Sequence, residues 1–176
     1  MNTILVIIDV QQKIMDVMYD TERSMNKMVQ LIQGAKVVEW PIFLFEQYPK
    51  GLGPTAKEIQ QLLPNIQPIA KTTFSAFENE EFKQTLRTFK QKPQIILCGI
   101  ETHICVYQTA IQLLEAGYDV WCIAEATSAR TSESQNIGLA LIQQAGGKIA
   151  NNELVLFNAL KDAKHSKFKE ISQLIK

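Results

Sequence analysis

The chain is poor in histidine and cysteine and carries no net charge: two histidines, three cysteines, and eighteen basic residues balancing eighteen acidic ones over 176 positions. Each shortage excludes something. His103 and His165 alone cannot furnish the imidazole set of a histidine-bound catalytic metal, so no metal is expected. Zero net charge gives no bulk attraction to nucleic acid or to an anionic membrane, which leaves a small molecule as the expected partner. An odd number of cysteines without a CxxC spacing argues for reduced thiols and a cytoplasmic setting rather than a disulfide framework. The apolar run Ile4 to Ile8 is far too short to span a bilayer and has no basic segment before it, so neither a signal peptide nor an anchor is expected. Gly51-x-Gly53 lacks the third glycine, preceding strand and downstream acid of a dinucleotide fingerprint, and no Walker A motif occurs, so no cofactor is expected. Repeats, low-complexity segments and linkers are absent too, and the length suits a single domain over 1–176.

What is present is an alternation of short apolar runs with helical periodicities. Strands are expected at Thr3 to Ile8, Ile42 to Phe45, Pro68 to Ala70, Gln94 to Cys98, Asp119 to Ala124 and Lys148 to Ala150, with a last strand or extended piece at Leu154 to Phe157. Helices are expected at Glu22 to Glu39, Pro54 to Leu63, Asn79 to Phe89, from Cys105 onward, at Glu133 to Ala145 and at Ser166 to Ile175. Continuous apolar strands separated by helices imply an α/β fold, a three-layer α/β/α sandwich around a central, mostly parallel six-stranded sheet with right-handed crossovers. Ligands in such folds bind beyond the carboxyl ends of the strands.

That rule singles out Asp9 after the first strand, Glu46 to Tyr48 after the second, Lys71 after the third and Glu101 to Cys105 after the fourth. A carboxylate can take a thiol proton, an ammonium can hold a thiolate, and a cysteine can attack a carbonyl. Cys105 falls in the first turn of its helix, where unpaired N–H groups favour thiolate and can hold an oxyanion. Each residue also has a plainer reading: Cys105 as a small buried hydrophobe, Asp9 as a turn or cap, Lys71 as a solvated lysine. The conjunction at three strand ends favours a nucleophilic hydrolase. Cys98 and Cys122 sit within apolar strands and are assigned to packing.

Three segments, Ile7-Ile8-Asp9-Val10-Gln11, Ala70-Lys71-Thr72-Thr73-Phe74-Ser75 and Cys98-Gly99-Ile100-Glu101-Thr102-His103-Ile104-Cys105, resemble the motifs of the isochorismatase-like cysteine hydrolases in order and spacing. The segment Glu46 to Thr55 and the tail Asp162 to Ile171 are similar to the isochorismatase domain-containing and YcaC-like subgroup. This resemblance implies a triad of Cys105 as nucleophile, Asp9 as proton acceptor and donor, and Lys71 as supporting cation. It also implies a cis Ile100-Glu101 peptide, an oxyanion hole from the N–H groups of Glu101 and Cys105, a thioester intermediate and a homo-oligomer.

The departures narrow the chemistry. The nicotinamidases of this family carry an Asp-x-His metal motif after the second strand, where this chain reads Glu46-Gln47-Tyr48-Pro49. True isochorismatases need no cysteine nucleophile, so Cys105 argues for acyl chemistry on a small amide, ureide or related carbonyl compound. Gln11, Tyr48, Phe74, Phe77 and His103 are candidate pocket residues, and Arg130 is a candidate for a substrate anion, a salt bridge or a subunit contact. His103, two residues from Cys105, points away from it on a helix and makes a poor dyad partner. The alternative function is an oligomeric binding protein that keeps the fold with little or no turnover.

Overall fold

The computed structural model describes residues 2–176. Six strands form one sheet: β1 (Thr3–Ile8), β2 (Ile42–Gln47), β3 (Ile69–Lys71), β4 (Gln94–Ile100), β5 (Asp119–Ser128) and β6 (Lys148–Ala150). Their order is β3-β2-β1-β4-β5-β6 and every pair is parallel. The chain winds outward from β1 to β3, returns to the middle at β4, and winds outward the other way. The order of strands therefore switches between β1 and β4, whose carboxyl ends open the crevice where ligands of such sheets bind.

The alternation of side chains along each strand divides the core into two layers. Leu5 and Ile7 of β1 and Ile96, Cys98 and Ile100 of β4 face one layer, which includes residues of α2 (Thr21–Val37), α4 (Lys57–Leu62), α8 (Asn152–Leu160) and α9 (Phe168–Ile175). Ile4, Val6 and Ile8 with Ile95 and Leu97 face the other, covered from α5 (Glu80–Arg87), α6 (Tyr107–Glu115) and α7 (Ser132–Gln144). Both faces are dry, which explains why the strands read as unbroken apolar runs. Two one-turn helices, α1 (Gln12–Met15) and α3 (Pro49–Leu52), lie next to the first two strand ends and have no periodic signal in the sequence.

Three expectations are corrected. Leu154 to Phe157 is helical, inside α8: Asn151 caps it by accepting the Leu154 N–H at 2.9 Å, and Val155, Leu156 and Leu160 are buried. A four-residue apolar run does not distinguish a strand from a buried helix turn, and the cap decides. The fourth strand continues through Gly99 to Ile100, with an irregularity against β5 between Leu97 and Gly99. Gly99 is thus a glycine within a strand at a bulge rather than a terminator. Cys105 lies in a π-helical turn, Thr102–Val106, that precedes α6 rather than in the first turn of the α-helix.

Candidate active site

Asp9 stands one residue past β1 with left-handed backbone, φ 54°, a conformation that aspartate tolerates better than most side chains. The Asp9 N–H donates to Phe45 O of β2 and its carbonyl accepts from the Gln11 N–H, so the turn is tied to the neighbouring strand. Lys71 ends β3, with β2 between it and β1, and its side chain reaches past the end of β2 to Asp9. Its Nζ lies 2.7 Å from Asp9 Oδ2, 2.6 Å from Gln47 Oε1, 2.9 Å from Phe74 O and 3.2 Å from Thr73 O. An ammonium and a carboxylate this deeply buried persist only when they are paired and hydrogen-bonded. Gln47, the end of β2, was among the strand-end residues the sequence nominates but was given no role; its position between the two strands that carry Asp9 and Lys71 supplies one.

Cys105 is 7 % exposed, and its thiol is near enough to the Asp9 carboxylate to feel its charge. One carboxylate therefore pairs with the ammonium and acts electrostatically on the thiol. Burial pushes the Asp9 carboxyl above its usual range, against the opposing pull of Lys71 and the thiol. Burial, and then the Asp9 charge, push the Cys105 thiol up to about 12, with Lys71 opposing and Glu101 adding to the rise. The direction is opposite to the thiolate that a helix start alone would favour. Desolvation and two nearby carboxylates outweigh one ammonium and the turn's N–H groups, so the resting group is a neutral thiol.

The turn that carries Cys105 is clamped on three sides. Its start is the Ile100-Glu101 peptide, which is cis. The N–H groups of Ile104 and Val106 both donate to Glu101 O, at 3.0 and 3.3 Å, a spacing that passes over the Cys105 N–H. Gly138 of α7 approaches so closely that a Cβ there would lie 2.9 Å from the His103 backbone. Thr109 of α6 donates to Cys105 O at 2.7 Å and accepts the Ala76 N–H at 2.9 Å, while Ser75 donates to Gln112 Oε1 at 2.7 Å. The loop after Lys71 and the helix after Cys105 are thus fastened to each other. Thr109 was missed by sequence, because its value depends on a contact 33 residues away.

The expected pocket residues separate. Gln11 is fully buried, and its carboxamide donates to Gln47 O and Gly53 O and accepts the Gln47 N–H. All its strong hydrogen-bonding capacity holds the loop after β2, so a pocket role is corrected to a structural one. Glu46 does the same from the other side, accepting the N–H and hydroxyl of Thr55. Phe77 is corrected likewise: its ring packs edge-on against Tyr118, beyond the far end of the helix whose near end adjoins Cys105. Tyr48 and Phe74 are 54 % and 53 % exposed and stand at the rim on the Lys71 side. A cleft of about 530 Å³ opens beside Lys71, lined by Tyr48, Pro49, Lys71, Thr72 and Thr73 among others but not by Phe74, Asp9 or Cys105. His103 is set against α7, its Nδ1 buried without a hydrogen-bond partner. Arg130 pairs with Glu101 at 3.2 Å, the salt bridge among its alternatives. His165 is exposed at the tail and accepts the Lys167 N–H. No group of three or more His, Cys, Asp or Glu side chains is arranged to hold a metal among the described residues, and no helix there is long and apolar enough to cross a membrane.

Fold and strand-end residues together define a three-layer α/β domain of the isochorismatase-like hydrolase type. The chain belongs to the isochorismatase family: the isochorismatase domain model matches residues 3–153. Isochorismatase domain-containing protein 2 of Xenopus laevis is 35 % identical over 174 residues, 99 % of this chain and 83 % of that protein. The structure of the MAR1 ribonuclease from Caenorhabditis elegans superposes with a TM-score of 0.92 at 32 % identity, covering 99 % of this chain and 89 % of that one. The YcaC gene product of Escherichia coli, described as an octameric hydrolase of unknown specificity, shares the fold with a TM-score of 0.91 at 22 % identity, over 99 % and 86 % of the two chains.

Proposed function

We propose that the chain is a cysteine-dependent hydrolase of a small amide, ureide or related carbonyl compound. The observation that carries this reading is the Asp9 carboxylate, buried, paired with the Lys71 ammonium and near enough to the Cys105 thiol to act on it electrostatically. Asp9 takes the thiol proton as Cys105 Sγ bonds to the substrate carbonyl carbon. The oxyanion accepts hydrogen bonds from the N–H groups of Glu101 and Cys105. The C–N bond then breaks, Asp9 returns its proton to the departing amine, and a thioester remains. A water molecule gives a proton to Asp9 and its oxygen to the acyl carbon; the acid departs and the thiol is restored. Lys71 keeps Asp9 oriented throughout and balances negative charge as the proton moves. The raised pKa values suit this sequence, because a carboxylate with a higher proton affinity is a better partner for a thiol that holds its proton. The assembly is a homo-oligomer, as the octameric YcaC structure is.

The test is a panel of small amides, carbamoyl compounds and ureides incubated with the wild type and with Cys105→Ser, with ammonia or amine release measured and the acyl-enzyme sought by mass spectrometry. Turnover lost in Cys105→Ser, with an acyl adduct on Cys105 in the wild type, supports the proposal. A labelled RNA run in parallel examines the activity named for the Caenorhabditis elegans relative. Cleavage of RNA that survives Cys105→Ser, without amide turnover, overturns the acyl mechanism. Inactivity on every substrate favours the binding protein.

A further inference from the structure

The site has more acceptors than its own donors fill. Glu101 is 7 % exposed, and one carboxylate oxygen, Oε1, meets the Arg130 guanidinium at 3.2 Å from the solvent side. The other, Oε2, is buried and takes no hydrogen bond. Asp9 Oδ1 is likewise buried without a hydrogen-bond partner. An unpaired buried acceptor is costly, more so when charged, and native proteins keep few of them without a reason. The available cations do not fill the gap. Lys71 is spent on Asp9 Oδ2, Gln47 Oε1 and two carbonyls, and the Arg130 side chain is 68 % exposed and approaches only Oε1.

Glu101 also has the right address. Its own carbonyl organises the turn that carries Cys105, and its charge reaches the Cys105 thiol. We propose, building on the hydrolase reading above, that Glu101 is a specificity-determining residue whose free carboxylate oxygen accepts a hydrogen bond from an N–H on the retained side of the substrate's scissile carbonyl. The leaving nitrogen then lies over Asp9, which protonates it, and the retained N–H lies over Glu101. A substrate with an N–H on both sides of the carbonyl matches both acceptors. One with a carboxylate or a methylated nitrogen on the retained side leaves Glu101 buried, charged and unpaired. A site built around such an acceptor rejects the analogue that lacks the donor more strongly than apolar contacts could.

The probes are methylurea and 1,1-dimethylurea, which share the leaving NH2 and differ in the retained N–H. The rate constants kcat/KM are compared for wild type, Glu101→Gln and Glu101→Ala, and binding is measured in Cys105→Ala by titration calorimetry with and without each Glu101 substitution. The expected result is a preference of about tenfold or more for methylurea that falls to near unity in Glu101→Ala, with the same preference in binding. Cys105-dependent turnover without that preference, or a preference that survives Glu101→Ala, overturns the assignment and leaves the hydrolase reading intact. Without turnover, the calorimetry decides: a preference abolished by Glu101→Ala upholds the role of Glu101 although the hydrolase reading fails, and equal or absent binding overturns it.

Discussion

Lys71 Nζ sits 2.7 Å from Asp9 Oδ2 across an intervening strand, and both side chains are almost wholly buried. Removing either partner strands the other. Asp9→Leu leaves a buried ammonium and is expected to cost about 3–5 kcal/mol of stability. Lys71→Met is expected to cost less, because the raised Asp9 carboxyl can keep its proton. The double variant should cost less than the sum of the two, with a coupling energy of about 1–3 kcal/mol in urea denaturation. Strict additivity would show that the pair does not interact.

Alkylation reads the protonation state of Cys105. With the thiol pushed up to about 12, iodoacetamide should label it more slowly than a free thiol at pH 7, the rate rising roughly tenfold per pH unit through pH 8–11. Asp9→Asn removes a charge that raises the thiol, so it should speed labelling while abolishing turnover. Lys71→Met lets Asp9 keep its proton, so the lowering and the raising charge are lost together and labelling should change less than in Asp9→Asn. Mass spectrometry locates the adduct; fast labelling at neutral pH would restore the resting thiolate.

Two glycines separate folding from positioning. A Cβ at Gly99, where φ is 114°, would lie 2.1 Å from Ile8 O in the backbone of β1, so Gly99→Ala should fail to give folded protein. At Gly138 the backbone is helical and the obstacle is the turn before Cys105, 2.9 Å away. Gly138→Ala should fold, as judged by circular dichroism, and lose most turnover. Equal effects of the two substitutions would contradict this division.

Thr109→Val keeps the shape and deletes two hydrogen bonds, to Cys105 O and from the Ala76 N–H. The expected loss is about 1–3 kcal/mol of stability together with a lower kcat, and Thr109→Ser should recover both. Recovery of stability without recovery of kcat would leave Thr109 a purely structural residue.

The layering and the strand-end positions of Asp9, Lys71 and Cys105 were legible because runs such as Ile4 to Ile8 state burial on both faces. The partners of Lys71 were not, because Gln47 joins it only through the strand order β3-β2-β1, which no local pattern encodes. Gln11 and Phe77 were misread for the same reason: a carboxamide or a ring near a strand end has no visible direction until its neighbours are known. The thiol's rise was hidden because desolvation is a property of the packed core, whereas the helix-start effect is local and readable.

The reversal of winding between β1 and β4 also divides the chemistry. The first half-sheet supplies Asp9, Gln47 and Lys71, the second supplies Cys105 and Glu101, and the exposed stretch Lys90-Gln91-Lys92 joins them. Neither half holds both Cys105 and the Asp9 proposed as its proton acceptor. On the proposed mechanism, a chain cut in that stretch should give two fragments that each lack Cys105-dependent turnover and regain it only when mixed and re-formed into one sheet.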